Sequence, residues 1–166
     1  MPQSTTEPQR VCAYIGLGAN LGDAQATLQD AMQLIGALPH SELRSRSALY
    51  RTAPVDATGP DYLNAVVRLD TGLTPQALLA ALQHIENTHG RLRSVRNAPR
   101  TLDLDLLLYG DQCIATPELV VPHPRLQLRA FVLRPLADIA PDLAVPGCGR
   151  VVDLLAPLAD QRIERI

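Results

Sequence analysis

Two aspartates, Asp103 and Asp105, stand two residues apart in residues 101–109 (TLDLDLLLY). In a β-strand, residues two apart point to the same face, with Cα atoms about 6.6 Å apart. Two carboxylates that converge in this way repel each other unless a cation lies between them. Spacing alone therefore gives equal weight to a metal site and to two side chains on a solvated sheet face.

Four arginines lead into these carboxylates, in a segment without acidic residues: Arg91, Arg93, Arg96 and Arg100. A run of charge is most often a solvated loop. Here it adjoins hard oxygen ligands of the kind that suit Mg²⁺, which typically binds one or two carboxylates together with substrate phosphates. Because arginine pairs with phosphate through two parallel hydrogen bonds, residues 91–105 indicate a nucleoside triphosphate site.

His123 lies between Pro122 and Pro124, which restrict the backbone around it. Arg125 and Arg129 follow closely, so a functional histidine and a structural hydrogen-bonding histidine are equally favoured.

A weaker group could bind a flat heterocycle: Thr52, Tyr62, Asn64 and Phe131. Asn64 follows Tyr62 by two residues in a predicted strand, so both share a face, where an amide offers a donor and an acceptor beside aromatic rings. From the residues alone, a plain sheet-surface role for Asn64 is favoured.

The glycines at positions 16, 18 and 22 are spaced one residue too widely for a dinucleotide-binding fingerprint, and tight turns are the predicted explanation.

The elements that must position these groups follow from hydrophobic patterning. Strands are predicted at residues 11–17, 42–52, 62–69 and 101–109, and a first helix with Leu28, Ala31, Leu34, Ile35 and Leu38 on one face. A second helix begins at Thr74-Pro75 and buries Leu78, Leu79, Leu82 and Ile85. The order β-α-β-β-α-β predicts an α+β, ferredoxin-like antiparallel sheet with both helices on one face. Helical segments at 128–140 and 151–158 form a C-terminal extension.

Composition limits the function classes. The 166 residues fit one domain, predicted at 11–166 behind a flexible tail at 1–10, and a net charge of −2 argues against a nucleic-acid partner. No apolar run approaches the length of a membrane helix, so we expect a cytoplasmic protein without membrane contact. All 15 basic residues are arginine, which excludes a Walker-A P-loop because that motif needs a lysine. The three cysteines have no metal-binding or disulfide spacing and are predicted to be buried free thiols.

Six segments together resemble the 6-hydroxymethyl-7,8-dihydropterin pyrophosphokinases of folate biosynthesis, over about residues 11–146. The segments are 14–23 (YIGLGANLGD), 50–55 (YRTAPV), 61–64 (DYLN), 99–105 (PRTLDLD), 122–123 (PH) and 129–131 (RAF). The resemblance implies transfer of pyrophosphate from ATP to the pterin hydroxymethyl group, with release of AMP.

The resemblance also implies roles for individual residues. Asp103 and Asp105 would hold two Mg²⁺ ions and, with Arg91 and Arg100, carry out catalysis. ATP would contact Gln83, Glu86, Arg91, Arg93, Arg100, His123 and Arg129. The pterin would lie between Tyr62 and Phe131, with Thr52, Val55 and Asn64 at its edges. The expected partners are these small molecules, and a monomer is expected.

Two other functions fit the same residues. One is a Mg²⁺-dependent phosphohydrolase or nucleotidyl transferase that uses the same carboxylates. The other is a non-catalytic ferredoxin-like module that senses a ligand, in which the aspartates would be surface residues.

Overall fold

Residues 9–53, 60–89 and 102–166 are described by the structure, a computed structural model. The first part of the chain forms β1 (Val11–Ala19), α1 (Ala24–Gly36), β2 (Ser41–Arg46), β3 (Tyr50–Thr52), β4 (Tyr62–Thr71), α2 (Pro75–Thr88) and β5 (Asp103–Tyr109). Both long helices start at side-chain caps: Asp23 accepts from the Ala26 N–H and Thr74 from the Ala77 N–H, each at 3.1 Å.

The second part of the chain continues with short elements around one longer helix. These are β6 (Ile114–Ala115), β7 (Val120–Val121), a 3₁₀ turn (Leu126–Leu128), α3 (Ala130–Ile139), β8 (Ala144–Val145), β9 (Gly149–Arg150), α4 (Val151–Leu155), a second 3₁₀ turn (Ala156–Leu158) and β10 (Glu164–Arg165).

The main sheet is antiparallel and confirms the predicted ferredoxin-like arrangement. Its order is β5-β1-β4, with β2 and β3 pairing in succession along the far side of β4. The last strand, β10, adds to β3 and widens the sheet by one strand.

Each face of the sheet carries its own apolar core. On one face, α1 and α2 pack through Leu28, Ile35, Leu78 and Leu82, as predicted for the two ferredoxin-like helices. On the other face, the C-terminal extension packs through residues of α3 and α4, among them Leu133, Leu136 and Val151. The candidate site lies between this second layer and the sheet.

Four predictions need correction. The single strand predicted at 42–52 is two strands, because the Ser47 side chain accepts from the Val66 N–H at 2.9 Å and interrupts the regular pairing. Leu34 is 38% exposed, and Met32 takes the buried place in α1. Gly16 and Gly18 lie within β1, so tight turns do not explain them. Cys113 and Cys148 are exposed, although all three thiols are free.

The predicted tail at 1–10 lies outside the described residues except for Gln9 and Arg10. Within the described parts of the chain, no helix combines the length and apolar character needed to cross a bilayer.

Candidate functional site

A cavity of about 880 Å³ opens between the sheet and the beginning of α3. Its floor comes from four neighbouring strands and its wall from the segment that enters α3. The predicted site residues that line it are Thr52, Tyr62, Asn64, Asp103, Asp105, Arg129 and Phe131. The structure therefore brings the candidate metal carboxylates and the candidate heterocycle-binding group into one cavity.

The two carboxylates lie on the same face of β5, as their spacing predicts. Asp103 and Asp105 are half-buried, whereas Leu104 between them is 6% exposed and belongs to the core on the opposite face. The backbone N–H of Leu104 donates to Glu86 Oε2 at 2.8 Å. This bond fixes the strand at the point between the two aspartates.

The residues opposite the aspartates have no side chains. In the register of β1 with β5, Gly18 faces Asp103 and Gly16 faces Asp105. A Cβ at position 18 would lie 3.2 Å from the Asn64 side-chain oxygen, so a larger residue there would crowd the cavity floor. The two glycines leave room beside the carboxylates.

Asn64 is not the plain surface residue that its sequence context favours. It is 6% exposed, lines the cavity, and donates through Nδ2 to Thr52 Oγ1 at 2.9 Å. This bond fixes the plane of the amide, which keeps a carbonyl oxygen and a second N–H for other partners.

Phe131 and Arg129 project from the start of α3. The guanidinium carbon of Arg129 lies 5.4 Å from the centroid of the Phe131 ring, a cation–π distance. The pair presents an aromatic surface and a positive charge to the same cavity.

The buried side chain of Tyr50 links the two sides of the cavity. Its hydroxyl donates to the Asp138 carboxylate in α3, at 2.8 and 2.7 Å to the two oxygens. Burial and this hydrogen bond raise the pKa of Tyr50, so the hydroxyl keeps its proton at neutral pH. The strand that carries Thr52 is thereby tied to the helix that carries Phe131.

His123 lies beside the cavity, close enough to Asp105 to feel its charge. Its backbone N–H donates to the Leu107 carbonyl at 3.0 Å, and its Nδ1 accepts from the Arg125 N–H at 3.3 Å. Burial lowers the pKa of His123 from 6.5; Asp105 opposes this effect, and Arg129 and Arg125 add to it. A neutral ring whose Nδ1 accepts carries its proton on Nε2, which can donate to a phosphate oxygen.

The remaining predicted residues stand apart from the cavity or outside the description. Gln83 is exposed on α2, and neither it, Glu86 nor His123 is among the described residues that line the cavity. Four predicted site residues lie outside the described residues: Val55, Arg91, Arg93 and Arg100.

The cavity also includes Arg125, which follows His123 closely in sequence, and three residues that the sequence did not indicate: Leu128, Gln161 and Arg162. Gln161 and Arg162 come from the end of the described chain, and no motif marks them. They reach the site because β10 returns to pair with β3.

Comparison with known proteins gives consistent matches. The family model described as 7,8-dihydro-6-hydroxymethylpterin-pyrophosphokinase (HPPK) matches residues 14–141. A 2-amino-4-hydroxy-6-hydroxymethyldihydropteridine pyrophosphokinase of Pseudomonas aeruginosa is 46% identical over 159 residues, covering 95% of this chain and 97% of the relative. The protein of the same name from Methylorubrum extorquens is 45% identical over 155 residues, covering 93% and 98%.

Solved structures agree on the fold. The crystal structure of Plasmodium falciparum HPPK-DHPS wild type with pteroate matches 93% of this chain with a TM-score of 0.73 at 13% identity. This chain spans 43% of the length of that protein, and at such identity the likeness concerns the fold alone.

Proposed function

This chain belongs to the 7,8-dihydro-6-hydroxymethylpterin-pyrophosphokinase family, and from that premise we propose that the cavity between the sheet and α3 is its active site. The enzyme transfers pyrophosphate from ATP to 6-hydroxymethyl-7,8-dihydropterin and releases AMP, a step of folate biosynthesis. One observation supports the location: the carboxylates of Asp103 and Asp105 share a single cavity with the Asn64–Thr52 pair and Phe131.

The residues present fit Mg²⁺. Among the described residues, no group of three or more histidine, cysteine, aspartate or glutamate side chains could enclose a metal ion. A pair of carboxylates beside two glycines instead suits an ion that keeps part of its coordination for phosphate oxygens and water. Asp103 and Asp105 would hold two Mg²⁺ ions, which when bound neutralise the charge that develops on the phosphate oxygens.

The reaction requires an in-line displacement at the β-phosphorus of ATP. The hydroxymethyl oxygen forms the new bond to the β-phosphorus and releases its proton to solvent. The bond from the β-phosphorus to the oxygen shared with the α-phosphate breaks, and AMP leaves with that oxygen. Arg129 and a neutral His123 would donate to phosphate oxygens near Asp105. Arg91, Arg93 and Arg100 would supply further charge-assisted contacts to the triphosphate.

The other half of the cavity suits the pterin. Phe131 and Tyr62 offer rings for stacking, and the Asn64 amide presents a donor and an acceptor whose plane Thr52 fixes. Val55 would complete this edge.

Two residues on α2 take different roles in the proposal. Glu86 acts through the backbone of Leu104 and so orients the aspartates on either side of it. Gln83, exposed on the same helix, would contact the nucleotide directly.

We further propose that residues 11–166 act as one domain, because both apolar cores pack on the same sheet. We also propose a monomer, because these two cores cover both faces of that sheet. The cytoplasm is the proposed compartment, since free thiols are usual where the environment is reducing. Nucleic acid and membranes are not expected to be partners, given the net charge of −2.

A product analysis tests the activity. The protein is incubated with ATP and Mg²⁺, with and without the reduced hydroxymethylpterin, and the nucleotides are separated. AMP formed only in the presence of pterin supports the proposal. Release of ADP or free phosphate without pterin would indicate a phosphohydrolase, and binding without turnover would indicate a ligand-sensing module.

A further inference from the structure

The end of the described chain contacts the segment that carries Arg129 and Phe131. Gln161 Oε1 accepts from the Ala130 N–H at 2.9 Å, and Gln161 Nε2 donates to the Leu128 carbonyl at 3.0 Å. One planar amide therefore holds the backbone on both sides of Arg129. Such a double contact needs a side chain that carries a donor and an acceptor together, which glutamine has.

The start of α3 lacks a cap from its own sequence. Arg129 is the capping residue, and its side chain makes no capping hydrogen bond. The first N–H groups of a helix have no partners within that helix. Gln161, distant in sequence, supplies the acceptor for the Ala130 N–H at this position.

Gln161 is itself fixed on both sides. Its backbone N–H donates to the Leu158 carbonyl at 3.0 Å. After it, Glu164 and Arg165 pair with Arg51 and Tyr50 of β3. Since a turn hydrogen bond precedes Gln161 and strand pairing with β3 follows it, backbone bonds hold the chain on both sides of the amide before any ligand arrives.

We propose that Gln161 is a positioning residue for substrate binding, because it holds the 128–131 backbone so that Phe131 and Arg129 face the cavity. The inference rests on the proposed function, in which Phe131 contacts the pterin. Without the two hydrogen bonds, the start of α3 becomes less ordered, and binding must supply the ordering that Gln161 provides in advance.

The test measures the dissociation constant of the reduced pterin in the presence of Mg²⁺ and a non-hydrolysable ATP analogue. Gln161→Ala is expected to weaken pterin binding about thirtyfold, the effect of losing two hydrogen bonds of about 1 kcal/mol net each. Gln161→Glu is expected to fall between wild type and Gln161→Ala, because it keeps the acceptor for Ala130 but sets a carboxylate oxygen against the Leu128 carbonyl. Gln112→Ala, an exposed glutamine in the turn after β5, is the matched control and is expected to bind normally.

Measuring pterin binding of Gln161→Ala in a Phe131→Ala background separates a positioning role from a general effect on stability. If Gln161 acts through Phe131, adding Gln161→Ala to Phe131→Ala is expected to weaken pterin binding by less than twofold further. The full loss of about thirtyfold in both backgrounds would overturn the inference, as would a lower melting temperature of Gln161→Ala with unchanged pterin binding. If Gln161→Ala does not fold, Gln161→Glu gives the same comparison.

The same measurements separate this inference from the proposal on which it rests. If Phe131→Ala binds pterin like wild type, the assignment of the pterin site is wrong. If Phe131→Ala weakens binding and the Gln161 variants do not, only the role of Gln161 is wrong.

Discussion

Replacing Gly18 with alanine tests how closely the cavity floor is fitted to Asn64. The new Cβ would lie 3.2 Å from Asn64 Oδ1, closer than an ordinary contact, and 3.9 Å from the Leu63 carbonyl oxygen. Asn64 cannot simply turn away, because its Nδ2 is held by Thr52 at 2.9 Å. The methyl group therefore either stretches that hydrogen bond or displaces the amide by a few tenths of an ångström.

The size of the effect follows from this hydrogen bond. A neutral hydrogen bond contributes about 1 kcal/mol net, which corresponds to about a fivefold weaker affinity for pterin. The free energy of unfolding should change little, because two effects of similar size oppose each other. The weakened hydrogen bond costs about 1 kcal/mol, and replacing glycine with alanine stabilises the fold by about 0.4–1 kcal/mol because it lowers the entropy of the unfolded chain. Gly16→Ala is the matched control, because its Cβ would make an ordinary 3.4 Å contact with the Leu107 side chain.

Calorimetric titration with pterin and with an ATP analogue, together with melting temperatures, gives the required measurements. Gly18→Ala should bind pterin about fivefold more weakly, whereas Gly16→Ala should match wild type for pterin. Titration with the ATP analogue shows whether either methyl group also crowds the space beside Asp103 and Asp105. Equal pterin affinities for the two variants would refute the reasoning, because the 3.2 Å contact would then have no effect on Asn64.

Three further predictions concern charge and protonation. Asp103→Asn and Asp105→Asn should each reduce kcat by about 10²–10³-fold, because they remove electrostatic stabilisation from the transition state; near wild-type turnover in both would exclude a metal role. The pKa of His123 is lowered by folding, so its contribution to stability is complete above pH 6.5 and declines as pH falls. The melting temperature of wild type should therefore fall by more than that of His123→Asn between about pH 7.5 and about pH 5, and equal falls would contradict this. The pKa of Tyr14 is raised to about 12 by burial, then by its hydrogen bond with Cys12, so ionisation of the unfolded chain from pH 10 upward favours unfolding. Urea denaturation should show that the free energy of unfolding of wild type falls by about 1–3 kcal/mol more than that of Tyr14→Phe between about pH 10 and about pH 12. Equal losses would show that folding does not hinder the ionisation of Tyr14.

The features that could be predicted are those determined by local periodicity and by local hydrogen bonds. Alternation in residues 102–106 places Asp103 and Asp105 on one face because the strand period is two whatever the partner strand. The start of α2 follows from Thr74 and Pro75, which act within one helical turn.

The features that could not be predicted depend on contacts between distant residues. The break after β2 arises from a hydrogen bond between Ser47 and Val66, and nothing near Ser47 in sequence indicates it. The burial of Asn64 requires β3 and β4 to pair beneath α3. Gln161 reaches the site only because the chain returns to β3 after α4, more than 100 residues after Tyr50.

The bonds on the outer side of β5 also protect the protein from self-association. In the described sheet, β5 is an edge strand, and unpaired groups along such an edge can recruit a strand from another molecule. The Leu104 N–H is occupied by Glu86, and the Leu107 carbonyl by the backbone of His123. Replacing the Glu86 side chain would free the Leu104 N–H, whereas a substitution at His123 keeps the backbone bond to Leu107. A change at Glu86 that is meant to alter the active site would therefore also influence aggregation, so activity and solubility are linked at this point of the edge.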